Sequence, residues 1–206
     1  MGNMHSVARA LEAAGARVDV TADSASIDGC DALCVPGQGI FGRCMANLSA
    51  RRLDELIRKW VADRRPFLGI CIGMQILFDA SEESSSETGL GILRGRVERL
   101  PATVTVPHIG WNTLSSTEAS PGWLNDEYFY FDHSYAVQPD DGSIVDAWFE
   151  HGGRWAAVVG AGSVTATLFH PEKSGAAGIH LLRGWLAGSL SGDHCVVAAN
   201  GRDRES

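Results

Sequence analysis

The sequence predicts an α/β domain with a mixed, mainly parallel sheet and helices on both faces. Three observations carry that expectation. Short apolar runs alternate with segments of helical periodicity through the N-terminal part of the chain. The 206 residues are 45% hydrophobic and 20% charged, enough for one substantial core. Three segments with reactive or anion-binding groups each follow an apolar run, at the strand end where such sheets hold ligands.

The elements follow in order. Asn3 to Ala14 reads as a helix, with Val7, Leu11 and Ala14 on one face and Gly15 as its stop. Arg17 to Thr21 alternates like a strand, and Ala32 to Val35 is a short apolar strand ending at Pro36-Gly37-Gln38-Gly39. From Leu48 to Val61 the apolar residues Leu53, Leu56, Ile57, Trp60 and Val61 recur at helical spacing. Phe67 to Ile70 is the next strand and Ile72 to Phe78 the next helix. Ser81 to Glu87 reads as a polar loop. Strands are then expected at 104–106, 128–131, 143–148, 156–159 and 164–168, before a last helix from Gly175 to about Ala187. Residues 1–190 form one domain, and 191–206 a polar, frayed tail apart from Cys195-Val196-Val197.

A formal net charge of −8 excludes a basic stripe for nucleic-acid phosphates. No apolar stretch approaches the ~20 residues of a membrane helix, and no basic-then-apolar leader is present, so a cytoplasmic protein is expected. Five cysteines (Cys30, Cys34, Cys44, Cys71, Cys195) at irregular spacing suit neither a zinc site nor a disulfide framework. Four of them read as reduced, partly buried side chains.

Cys71 differs because of its setting. Gly69-Ile70-Cys71-Ile72-Gly73 turns a strand sharply into a helix, and the flanking glycines lack side chains that would crowd the turn. The helix N-terminus favours a thiolate, and the next backbone N–H is free for an oxyanion. Gly37, Gln38 and Gly39 form a second turn whose N–H groups can face the same oxyanion. His170-Pro171-Glu172 can set an imidazole beside the thiolate and a carboxylate behind it. Nucleophile, proton shuttle and orienting group are the roles acyl transfer needs. His5, His151, His180 and His194 read as surface or structural residues.

Gly69 to Gln75 and Phe169-His170-Pro171-Glu172-Lys173-Ser174 resemble the two signatures of the class I, triad-type glutamine amidotransferases. Further segments are similar to the glutaminase (HisH) subunits of imidazole glycerol phosphate synthase: Met1-Gly2-Asn3 with Ser6-Val7, Gly37–Gly39 with Phe41-Gly42 and Met45, Pro107-His108-Ile109-Gly110-Trp111-Asn112, and Tyr130–Tyr135. The resemblance spans roughly residues 1 to 190 and implies a flavodoxin-like sheet. It implies hydrolysis of glutamine to glutamate and ammonia through a γ-glutamyl thioester on Cys71, with His170 and Glu172 completing the triad. Gly37, Gln38, Gly39 and Ile72 would form the oxyanion hole. Gln75, Glu83, His133, Ser134 and Tyr135 would hold glutamine. No cofactor and no metal is implied. Ammonia would pass to a separate β/α-barrel cyclase subunit (HisF), which turns PRFAR into imidazole glycerol phosphate and AICAR in histidine biosynthesis. Asn3, Pro107, His108, Gly110, Trp111, Asn112 and Lys173 match positions at or near the cyclase.

Some residues depart from that pattern. Gln38 stands where the family often has valine, Asp132 where an apolar residue is usual, and Leu168 where glutamine is common. The chain also begins inside the turn that the family places after its first strand. The first strand is therefore expected to be missing, with two neighbouring strand edges exposed. Two alternatives stand beside the main reading: another triad amidotransferase subunit, or a non-catalytic homologue serving as a binding module.

Overall fold

The structure, a computed structural model, describes residues 2–118, 120–124, 127–190 and 195–199. It opens with α1 (Gly2–Ala14), β1 (Arg17–Val20), α2 (Ser24–Asp28), β2 (Ala32–Gly37), α3 (Phe41–Ala50), α4 (Leu53–Ala62), β3 (Phe67–Cys71) and α5 (Ile72–Gln75). Shorter strands follow: β4 (Ala80–Ser81), β5 (Ser84–Thr88), β6 (Gly95–Arg99), β7 (His108–Thr113), β8 (Ser115–Ser116), β9 (Tyr128–His133), β10 (Tyr135–Pro139), β11 (Val145–Glu150), β12 (Arg154–Ala161) and β13 (Val164–Thr167). A 3-10 turn at Pro171–Lys173, α6 (Gly175–Ser189) and β14 (Cys195–Ala198) complete it.

The main sheet runs β1-β14-β2-β3-β13-β12-β10-β6-β4-β5, with β11 and β8 branching from β12. The first five strands of that order are mutually parallel, and most of the remainder is antiparallel. The parallel half is buried on both sides. Hence β2 and β3 read as apolar runs without alternation. α1 presents Val7, Leu11 and Ala14 to the core as its periodicity predicts, and Arg183 Nη2 donates to the Ala13 carbonyl near its end. α4 buries Leu53, Ile57 and Trp60.

Several expectations are corrected. The helical pattern from Leu48 to Val61 belongs to two helices, because Arg52 adopts a left-handed φ of 56° between them. The segment 72–78 is helical only to Gln75. Ser81–Glu87 is part of a hairpin of β4 and β5 at the sheet edge, where polar residues keep the outer strand soluble. Residues 104–106 form no strand; Pro101 and Pro107 bracket them and neither can donate to a ladder. β6, β7 and β10 were not foreseen.

The two exposed strand edges expected from the sequence are not found between β1 and β2. β14 lies between β1 and β2, pairing Val18 with Val196 and Val196 with Ala32. That is the slot where a right-handed crossover would put a strand feeding α1. Val196, Val197 and Ala198 are fully buried there, so the apolar run that the sequence sets apart from the polar tail is a core strand. Cys30 and Cys195 are joined as a disulfide at the start of β14, with Cα atoms 5.0 Å apart, which corrects the reduced reading for these two. His194 lies outside the described residues.

Candidate active site

β3 delivers Cys71 to the site. Cys71 has φ 54° and ψ −107°, a conformation costly for a residue with a Cβ, and it caps the single turn α5. The neighbours leave no alternative to glycine. A Cβ on Gly69 would lie 2.6 Å from the Gly73 carbonyl oxygen, and one on Gly73 would lie 1.8 Å from that of Val35. This is the strained strand-to-helix elbow the sequence implied.

β2 runs alongside, and its last residue, Gly37, pairs in register with Cys71. A Cβ on Gly37 would fall 1.7 Å from Ile72 Cγ2, so only glycine allows the two strand ends this approach. Gly39 follows with φ 122°. Ile72 opens α5, and its N–H has no intrahelical acceptor.

β13 and the turn after it bring the base. His170 Nδ1 lies 2.7 Å from Glu172 Oε1, and both side chains are wholly buried. With the carboxylate accepting, Nδ1 carries the proton. His170 Nε2 is buried without a well-formed hydrogen bond. Burial pushes the imidazole pKa down, but Cys71 and Glu172 outweigh it and lift the value to about 10. Cys71 thus interacts with the imidazole that Glu172 orients. Cys34, buried near the Glu172 carboxylate, has its thiol pushed up by burial and by that charge, so it stays protonated.

Sequence reasoning did not assign a role to Ser174, which locks this turn in place. Its hydroxyl donates to the His170 carbonyl at 2.7 Å and accepts from the Tyr130 N–H at 3.0 Å. A serine just past a Pro-initiated 3-10 turn is the signal that could have found it.

A pocket of about 320 Å³ opens over Cys71, lined by Gln38, Gly39, Ile72, Gln75, Glu83 and the 132–135 segment, with Pro107 at its side. Every residue expected to hold substrate is there. Gln75 Nε2 donates to the Tyr135 carbonyl at 3.2 Å. Glu83 Oε2 accepts from the Phe41 N–H at 2.7 Å, so one of its oxygens caps α3. Pro107 and Asp132 were not expected in the lining.

β7 and β9 form a separate two-stranded ribbon, pairing His108 with His133 and Trp111 with Tyr130. Alternation divides it into two faces. Ile109, Trp111 and Tyr128 point outward and are more than half exposed, which rules out a core role for Trp111. Lys173 Nζ sits over the Tyr130 ring and pairs with Asp132 at 3.2 Å on this face. His108 points inward and is only 7% exposed. Of Asn3, α1 fixes the backbone alone.

Residues 1–186 match the family described as glutamine amidotransferase class-I. The imidazole glycerol phosphate synthase subunit HisH of Nocardia farcinica is 48% identical over 196 residues, covering 90% of this chain and 92% of that one. That of Leifsonia xyli is 46% identical, with 92% and 94% covered. A crystal structure titled as a glutamine amidotransferase superimposes with a TM-score of 0.73 at 22% identity, over 90% of this chain and 93% of that one, and shows the shared fold. The PurLQS structure from Thermotoga maritima gives 0.66 at 18% identity, with 89% and 92% covered. With family match, relatives and elbow geometry in agreement, the chain belongs to the class-I glutamine amidotransferases and, within them, to the HisH subunits of imidazole glycerol phosphate synthase.

Proposed function

We propose that this HisH-family chain hydrolyses glutamine on Cys71 and hands the ammonia to a separate cyclase subunit. The observation that carries the reading is the fully buried Glu172–His170 pair, 2.7 Å apart, whose imidazole interacts with Cys71, and Cys71 in turn lines a pocket.

Cys71 passes its proton to His170 Nε2, and its sulfur attacks the side-chain amide carbon of glutamine. The carbonyl oxygen gains charge and is held by the Ile72 N–H and by N–H groups of the Gly37–Gly39 turn. His170 Nε2–H protonates the amide nitrogen, ammonia leaves, and a γ-glutamyl thioester remains. His170 then takes a proton from water, which attacks the thioester; the C–S bond breaks, the Cys71 sulfur recovers the proton from His170, and glutamate is released. Glu172 keeps Nδ1 protonated throughout, so the reacting nitrogen is always Nε2. Gln75, Glu83 and the main chain from His133 to Tyr135 hold the substrate's polar groups.

The partner is the cyclase subunit, with which the chain forms a cytoplasmic heterodimer acting as a lyase in histidine biosynthesis. Free ammonia is mostly protonated at neutral pH, and ammonium is no nucleophile, so transfer through the interface preserves it. The outward face of the β7–β9 ribbon, with Ile109, Trp111 and Lys173, supports docking there. The Gly37–Gly39 peptide reorients on docking so that an N–H meets the oxyanion.

The test is glutamate release from glutamine with and without the cognate cyclase and its substrate. Stimulation by the cyclase that vanishes in Cys71→Ala is the expected result. Turnover that ignores the cyclase, or survives Cys71→Ala, contradicts the reading.

A further inference from the structure

The inward face of the β7–β9 ribbon carries a directional chain of hydrogen bonds. His133 Nδ1 lies 3.0 Å from the Tyr135 carbonyl oxygen. A carbonyl only accepts, so His133 carries its proton on Nδ1 and presents a bare Nε2. His108 Nδ1 stands 3.1 Å from that Nε2 and must therefore donate to it. His108 Nε2 is then an acceptor, 3.4 Å from Asn112 Nδ2, which also donates to the Glu150 carbonyl at 3.0 Å. The sequence of donors runs Asn112 to His108 to His133 to the Tyr135 carbonyl.

Both imidazoles are 7% exposed. His108 stacks on His151 at 4.1 Å and on Phe131 at 5.0 Å, and His151 is itself tied to the Thr105 carbonyl at 2.8 Å. The rings therefore have little freedom to turn. The Tyr135 carbonyl is the shared end point, since Gln75 donates to it as well. That carbonyl belongs to the segment that walls the pocket over Cys71.

We infer that His108 is a positioning residue for glutamine binding: by donating to His133 it fixes the tautomer that anchors the Tyr135 carbonyl, and with it the main chain that walls the pocket. The inference rests on the glutaminase reading for its substrate, while the tautomer assignment stands on hydrogen-bond geometry alone. Protonation of either ring would set two N–H groups against each other. Burial pushes His108 to about 4 and His133 to about 3, with the neighbouring imidazoles of His151, His108 and His170 acting in the same direction. Among the described residues no carboxylate acts on either ring, whereas the Tyr135 carbonyl favours the charged form of His133.

Two variants in the complete complex with the cyclase test this. In His108→Leu the KM for L-glutamine rises about fivefold, the worth of one neutral hydrogen bond, and more than kcat falls. His108→Asn puts an Nδ2–H where the imidazole Nδ1–H stood and recovers most of the loss. Nitrogen-15 NMR of the imidazoles shows His133 neutral with its proton on Nδ1 at pH 6 in the wild type, and as a mixture of the two neutral tautomers in His108→Leu. An unchanged KM in His108→Leu, or equal loss in both variants, overturns the inference. So does a wild-type His133 with its proton on Nε2, a result that decides the matter even where His108→Leu fails to fold. A wild-type complex that releases no glutamate refutes the glutaminase reading instead, and the His133 spectrum then judges the hydrogen-bond chain by itself.

Discussion

At the scale of single residues, local sterics and proton positions set the chemistry. Cys71 holds φ 54° because β3 and α5 leave no other path, and Glu172 turns one oxygen to His170 Nδ1 while its second is buried without a hydrogen-bond partner. Glu172→Gln is expected to lower kcat by roughly 10³-fold with the fold intact, because the amide can donate to Nδ1 and stabilise the wrong tautomer. Steady-state glutamate release together with a circular dichroism melt checks both halves. The two inward imidazoles give a pH signature. In the unfolded chain they bind protons near 6.5, but in the folded chain only near 4 and 3. The unfolded state therefore binds more protons between those limits, and their contribution to stability is lost as pH falls from about 6.5 toward 4. Urea midpoints at pH 7 and pH 5 measure the drop, which is smaller in His108→Leu.

Between elements, what counts is how closely two backbones approach. Gly37 pairs with Cys71 because it carries no Cβ to collide with Ile72. Gly37→Ala forces a methyl onto Ile72 and displaces the oxyanion turn. A loss of about 10²-fold or more in kcat is expected, the size of one lost oxyanion donor, with KM changed less. β14 is the other element that decides much from few residues. Val197 is fully buried between β1 and β2. Val197→Asp would bury an unpaired charge there and cost more than about 3 kcal/mol. Chemical denaturation would show it, and a shift under 1 kcal/mol would mean that β14 is not part of the stable sheet.

For the whole molecule, the outward face of the β7–β9 ribbon stands apart from the rest. Ile109, Trp111 and Tyr128 are exposed together beside the Lys173–Asp132 pair. Trp111→Ala is expected to weaken cyclase binding by at least about 2 kcal/mol, roughly thirtyfold, while leaving the melting temperature of the isolated chain in place. Calorimetric titration of the cyclase checks it. Equal affinities would move the docking surface elsewhere.

The sequence by itself determined the parts whose physics is local. Gly69, Cys71 and Gly73 are close enough in the chain that their spacing alone demands the elbow, and His170-Pro171-Glu172 carries its own hydrogen bond. The apolar runs of β2 and β3 announced a parallel core for the same reason, since burial on both faces leaves no polar alternation. Contacts between distant segments were decided only by the tertiary structure. β14 filling the slot beside β1, the Cys30–Cys195 pairing, and the inward turn of His108 onto His133 all depend on which strands become neighbours. Nothing in the short apolar run at 195–198 distinguishes a central strand from a loose end, because only the vacancy between β1 and β2 gives it a place to be buried.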